Sequence, residues 1–254
     1  MNSTRLYRTI YIALLLLLIS SQSVLAENVI VVGFPEEEAI PYLIKEGEKT
    51  HKGIVMDIFL RIVVSMDYGI IVKRQAESNG LKLLSKGEID AWPKSKELMP
   101  YPGRFLWTDS IIDASQVLLT LKANSIKYSK PEDLIGKKIG IRKFSEYPAF
   151  NSFIKDKKIT INEVETDQAL VDMVLKQKAD AAIINTYSAK WFINVLKADE
   201  RQFEFSKIPI TKAGFHYMFS NKTKWASFVA KFNSVLREMI KNEEVKDIIK
   251  KYVH

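Results

Sequence analysis

The chain has 254 residues, 47% of them hydrophobic and 27% charged, the balance of a globular protein with enough apolar material for a sizeable core. Its net charge of +8 comes from lysines scattered along the chain rather than gathered into a groove, which argues against a nucleic-acid partner. Cysteine is absent, so disulfides, a lipoprotein anchor, thiolate metal sites and cysteine nucleophiles are excluded together.

Arg5 and Arg8 precede the apolar run Ile10 to Ile19, and Val24-Leu25-Ala26 supplies small residues where a peptidase would cut. That order predicts a signal peptide over residues 1–26, cleaved after Ala26, and a protein exported to the periplasm. The run is shorter than the roughly 20 residues a membrane-spanning helix needs. A retained signal anchor is the competing reading.

Asn28 to Gly33 is a β-branched run, expected as a buried parallel strand. The loop after it carries Glu36-Glu37-Glu38, and an acidic triplet is by default a solvated loop or the first turn of a helix. Gly53 to Phe59 opens a helix with Ile58, Ile62, Val63 and Met66 at helical spacing, and Gly69 to Val72 is the second strand. Leu81 to Trp92 then runs from the end of an amphipathic helix through a turn at Gly87 to a third strand near Ile89, completing a βαβαβ half of a parallel sheet. Pro93, Pro100 and Pro102 stiffen the loop that follows. Ser115 to Leu121 is a strand, and the polar stretch Lys122 to Lys130 leads out of it.

A second unit starts with a short helix stopped at Gly136 and a strand over Lys138 to Ile141. Ser145 is a candidate N-cap for the next helix, and a helix N-terminus beyond a strand is an anion site. Strands at Ile159 to Glu165 and Ala179 to Ile184 flank a helix from Asp167 to Lys178, and Asn185 opens a further helix. Phe203 to Ile210 and Gly214 to Phe219 read as strands, and two amphipathic helices, Lys224 to Ile240 and Glu243 to Tyr252, close the chain. The helix–turn–Asp-Ala–strand pattern at Leu81 to Trp92 returns at Met173 to Ile184, so two α/β lobes of similar construction are expected. Asp90 and Asp180 are read first as residues that close the helix-to-strand turn.

Gly53 to Asp57, Leu84 to Ala91, Leu134 to Gly140 and Lys178 to Ala181 together resemble the extracellular solute-binding proteins of family 3, the periplasmic partners of polar amino acid importers. The resemblance covers nearly the whole chain beyond residue 26. It implies an α/β, two-lobed periplasmic-binding-protein fold of type II, with residues 27–118 and 216–254 in lobe 1 and residues 119–215 in lobe 2. Two linking strands, near Leu119 to Ala123 and Ile208 to Phe215, would form a hinge. It implies a monomer that binds a small molecule without cofactor or covalent chemistry, with an inner-membrane ABC permease as its partner.

The ligand anchors of that family are altered here. The arginine that would hold an α-carboxylate falls on Tyr101 or Pro102, with Arg104 the nearest guanidinium. The acidic residue for the ammonium group becomes Asn185, and the Gly-Thr of the anion-binding turn becomes Phe144-Ser145. An unpaired buried charge costs about 2–5 kcal/mol, so a free α-amino acid is a poor match and a small anionic or aromatic solute is expected. Phe34, Tyr42, Trp92, Tyr101 and Tyr187 are candidate apolar walls, and Lys94, Ser95, Arg104, Arg142, Ser145 and Asn185 candidate polar contacts. The alternatives are a sensing domain of the same fold and a dehydratase-like enzyme. His51, His216 and His254 show no metal-ligand spacing, and Glu36, Glu37, Asp109 and Glu146 nominate no acid–base pair, so neither catalysis nor a metal is expected.

Overall fold

The computed structural model describes residues 28–47, 50–221 and 224–253, so the expected signal peptide lies outside the described residues. The first half of the chain builds β1 (Asn28–Pro35), the hairpin strands β2 (Ile44–Glu46) and β3 (Thr50–Lys52), α1 (Ile54–Ser65), β4 (Tyr68–Gln75), α2 (Glu77–Lys86), β5 (Ala91–Lys94), β6 (Phe105–Trp107), β7 (Ile112–Asp113) and β8 (Gln116–Leu121). The second half adds β9 (Lys138–Arg142), α3 (Asn151–Lys155), β10 (Thr160–Val164), α4 (Asp167–Leu175), β11 (Ala181–Asn185), α5 (Thr186–Val195), β12 (Phe203–Phe205), β13 (Gly214–Ser220), α6 (Lys224–Lys241) and α7 (Glu244–Lys250).

Two sheets result, ordered β4-β1-β5-β13-β6 with β7 paired to β13, and β10-β9-β11-β8-β12. β1 runs parallel to β4 over eight pairs, Asn28↔Tyr68 to Pro35↔Gln75, and parallel to β5. Its Ile30 and Val32 are fully buried against α1, α6 and α7, whose apolar faces form one core with them. Such doubly covered strands read as continuous β-branched runs, which is why the first strand is visible in the sequence. Among the described residues no helix is long and apolar enough to cross a membrane.

The repeated sequence pattern has one structural meaning in both sheets. α2 ends at Gly87 in the left-handed region (φ 73°), where Gly87 N–H donates to Leu84 O and Glu88 N–H to Leu83 O. α4 ends the same way: Gln177 takes φ 54°, donating to Val174 O, while Lys178 N–H donates to Met173 O. Both are Schellman-type stops. The aspartate three residues past each left-handed residue then clasps the neighbouring strand. Asp90 N–H donates to Val31 O (2.7 Å) and its carboxylate accepts from Val31 N–H (2.9 Å). Asp180 N–H donates to Lys138 O (2.9 Å) and its carboxylate accepts from Lys138 N–H (2.7 Å). The two aspartates fasten a returning strand to the neighbouring parallel strand of its lobe, β1 in the first sheet and β9 in the second.

The structure differs from the expected path in three places. β8 belongs wholly to the second sheet, so the expected boundary at 118/119 falls inside a strand, and that at 215/216 falls inside β13. The chain crosses between sheets at residues 113–116 and 211–214, where the two crossings pair with each other through Ala114 N–H to Ala213 O (2.9 Å) and Gln116 N–H to Thr211 O (3.1 Å). The strand expected over Phe203 to Ile210 stops at Phe205. Ser145 caps no helix: Pro148 starts a 3-10 turn and α3 begins only at Asn151, with Phe150 at its N-cap.

Candidate functional site

The parallel strands of both sheets end toward the same interlobe space, the position where open α/β sheets hold ligands. On the first lobe, the segments after β1, β4 and β5 bring Glu36, Glu37, Glu38, Glu77, Lys94 and Ser95 around a cleft of about 340 Å³. It continues through Ser95, Leu98 and Phe215 into a second cleft of about 290 Å³ between the lobes, lined from the far side by Ser145, Tyr147 and Asn185 and floored by the crossing residues Gln116 and Thr211.

Several side chains across this space are already committed. Lys94 Nζ lies 2.6 Å from Glu77 Oε1, and Arg142 Nη1 lies 3.3 Å from Asp167 Oδ1. Burial raises the Asp167 carboxyl above the usual range, and Arg142 opposes that shift. Ser188 Oγ donates to Ile40 O at 2.6 Å, tying α5 to the loop after β1. Tyr42 is buried against Phe215 (ring centroids 4.9 Å) and Tyr187 (6.1 Å), which makes an aromatic seam between the lobes. Burial pushes the Tyr187 phenol up, and the nearby Asp113 adds to the shift. Tyr147, 6% exposed, has its hydroxyl pushed up to about 12 by burial.

The structure distributes the eleven candidates over five environments. Ser95, Ser145 and Asn185 share the interlobe cleft, and Lys94 lies beside it. Tyr42 and Tyr187 form the seam, and Arg142 faces Asp167. Tyr101 and Arg104 line a different groove, with the guanidinium stacked 5.0 Å over the tyrosine ring. Phe34 and Trp92 are core residues rather than walls, 1% and 0% exposed. Trp92 fills a notch over two glycines, where a Cβ on Gly33 would come within 2.2 Å of its ring and one on Gly80 within 2.1 Å.

Asn185 has a structural reason to be an amide. Its Nδ2 donates to Ala114 O and, more weakly, to Ser115 O (3.4 Å) in the first crossing. A carboxylate there would face two carbonyl oxygens with nothing to donate. Sequence reasoning missed Glu77, Gln116, Tyr147, Thr211 and Phe215. Glu77 and Tyr147 were within reach of it, the first two residues beyond the end of β4 and the second two residues past Ser145 in the loop after β9, whereas Gln116, Thr211 and Phe215 enter the cleft through long-range pairing.

The sequence matches no family model and no curated protein. Solved structures do match. A polar amino acid ABC uptake transporter substrate-binding protein from Streptococcus thermophilus is 18% identical with a TM-score of 0.72, covering 89% of this chain and 86% of that one. An ancestral cationic amino acid solute-binding protein is 16% identical with a TM-score of 0.70, covering 89% and 96%. A histidine kinase sensor domain with similarity to periplasmic binding proteins is 17% identical with a TM-score of 0.59, covering 89% and 98%. At such identities the likeness carries the architecture alone, and the chain has the two-lobed, type II fold of the solute-binding proteins.

Proposed function

We propose that the protein captures a small polar solute between its two lobes, outside the cytoplasm, and presents it to an ABC-type importer as a monomer without a cofactor. The observation that carries this reading is the cleft itself: strand ends of both sheets converge on it, and among the described residues the chain crosses between the lobes twice beneath it. Hinge closure around a solute is the motion such a topology supports. The fold it shares with amino acid transporter binding domains points the same way. Asn185, held by the crossing, and Arg142, facing Asp167, leave the usual clamps for an α-amino acid incomplete, so no standard amino acid is expected to bind tightly.

A thermal-shift screen of amino acids, amines and organic acids tests the reading. A cognate solute at 1,000 times its dissociation constant stabilises the fold by about 4 kcal/mol. For a domain of this size that is a melting shift of roughly 8–16 °C. Small-angle scattering with the most stabilising compound should then show compaction. No shift with any class of solute, or an unchanged scattering profile at saturation, would refute the proposal. The sensor-domain likeness supports a second reading, in which the same cleft feeds a signalling partner. Neighbouring genes for a permease and ATPase favour the first, and a neighbouring kinase gene the second.

A further inference from the structure

The charge of the cleft is opposite to that of the chain. The protein carries +8 overall, yet the two joined clefts are lined by five carboxylates, those of Glu36, Glu37, Glu38, Glu77 and Glu146, and by one ammonium, Lys94. That ammonium is occupied by Glu77. The cations nearest the second lobe's strand ends are occupied too, Arg142 by Asp167 and Lys143 by Glu165 at 2.9 Å. Arg104 stacks on Tyr101 in a separate groove. Among the described residues the cleft therefore offers an anionic solute no cation without a carboxylate beside it. A solute carboxylate or phosphate would enter a field of its own sign, and like-charge juxtaposition is strongly unfavourable once water is expelled.

A second feature is compatible with a solute that carries N–H donors. Tyr147 is 6% exposed and lines the interlobe cleft, and its hydroxyl lies near Ser145 and Gln116 without a well-formed hydrogen bond to either. A buried phenol oxygen without a well-formed bond can accept from a solute N–H, and Tyr147 and Phe215 put two aromatic rings in the cleft lining, the kind of side chain a cation lies against. An acidic triplet on a loop is ordinarily a solvated surface. Here, however, it stands at the ligand end of the parallel strands, joined by a fourth glutamate from the neighbouring strand end.

We propose that the captured solute is an organic cation without a carboxylate, an amine or guanidine, drawn in by Glu36, Glu37 and Glu38 and held against Tyr147 and Phe215. The proposal rests on the solute-capture reading and replaces the anionic solute expected from the sequence. It is tested by calorimetry and thermal shift on the full secreted chain with diaminobutane and its guanidino analogue agmatine, with ornithine and arginine as the same skeletons bearing a carboxylate, and with succinate and glucose.

The cations should bind at least about tenfold more tightly than their carboxylate-bearing counterparts, succinate should not bind, and the affinity should fall with added salt. The double variant Glu36→Gln/Glu37→Gln should weaken cation binding by roughly tenfold, two rim charges contributing up to about a factor of five each. Tyr147→Phe should weaken it further while leaving the melting temperature of the unliganded protein within about 2 °C. Tighter binding of ornithine, arginine, succinate or glucose, or cation binding indifferent to the double variant, overturns the choice of ligand class while solute capture stands. No shift with any of the six compounds overturns the choice of ligand class, and no shift across the wider screen of solutes overturns solute capture as well.

Discussion

Alanine at Asp90 removes the acceptor that holds Val31 N–H on β1 of the first sheet, while alanine at Asp180 removes the equivalent acceptor for Lys138 on β9 of the second. The bonds have nearly the same length, and they differ in surroundings. Asp90 is 8% exposed and Val31 half-buried, whereas Asp180 and Lys138 are both exposed. A hydrogen bond to a charged acceptor contributes about 1.5–3 kcal/mol, and a buried N–H left without a partner keeps the full desolvation penalty. Asp90→Ala should therefore cost about 2–3 kcal/mol, a fall in melting temperature of roughly 5–10 °C. At Asp180 water replaces the lost acceptor, and the cost should stay below about 1 kcal/mol, or roughly 3 °C. Asp90→Asn, which keeps an accepting oxygen, should recover most of the loss. Circular dichroism melts of the three variants, checked by urea midpoints, decide the matter. Equal losses at positions 90 and 180 would refute the claim that burial, rather than the bond itself, sets the energetics of the repeated motif.

Gly80→Ala places a methyl group about 2.1 Å from the Trp92 ring, so it should destabilise by at least about 1–3 kcal/mol, and Trp92→Phe in the same chain should restore part of that; a thermally silent Gly80→Ala would remove the notch from the account of this core. Partial burial pushes the Glu97 carboxyl up, but hydrogen bonds from its own N–H, from Gly214 N–H and from the His216 ring outweigh it and hold Glu97 below its ordinary value. A depressed carboxylate stabilises above its unfolded pKa, near 4.5, and loses that contribution as pH falls through the lower folded value. The melting temperature should thus drop more steeply on acidification below about pH 4.5 in the parent than in Glu97→Gln, and parallel curves would contradict the assignment.

What the sequence discloses is local. β1 is legible because a strand covered on both faces needs an unbroken apolar run, and the two Asp-Ala turns because helix stop, clasp and strand follow one another within a dozen residues. The site is less legible because its members are placed by pairings across the chain. Asn185 is explained by carbonyls about 70 residues away, and nothing near it announces that they need a donor. Trp92 sits on a strand that leads into the cleft and reads as a wall, but its place against Gly33 and Gly80 is a property of three segments together. The same holds for β8, whose composition says strand without saying which sheet. Ser145 had the chemistry of a cap, and Pro148 moved the helix start past it.

The two crossings are hydrogen-bonded to each other, through Ala114 to Ala213 and Gln116 to Thr211, with Ile210 N–H donating to Gln116 O as well. A pair of strands zipped in this way is stiff to sliding of one past the other and compliant to bending and twisting of both at once. The lobes are joined by a leaf spring rather than by two swivels, and bending and twisting are its soft motions. Asn185 bolts the start of α5 to that spring, so the wall carrying Tyr187 and Ser188 must travel with it. A side chain that stiffens either crossing stiffens both, and the width of the cleft at rest is set by the curvature of the two four-residue crossings at its floor as much as by anything that lines it.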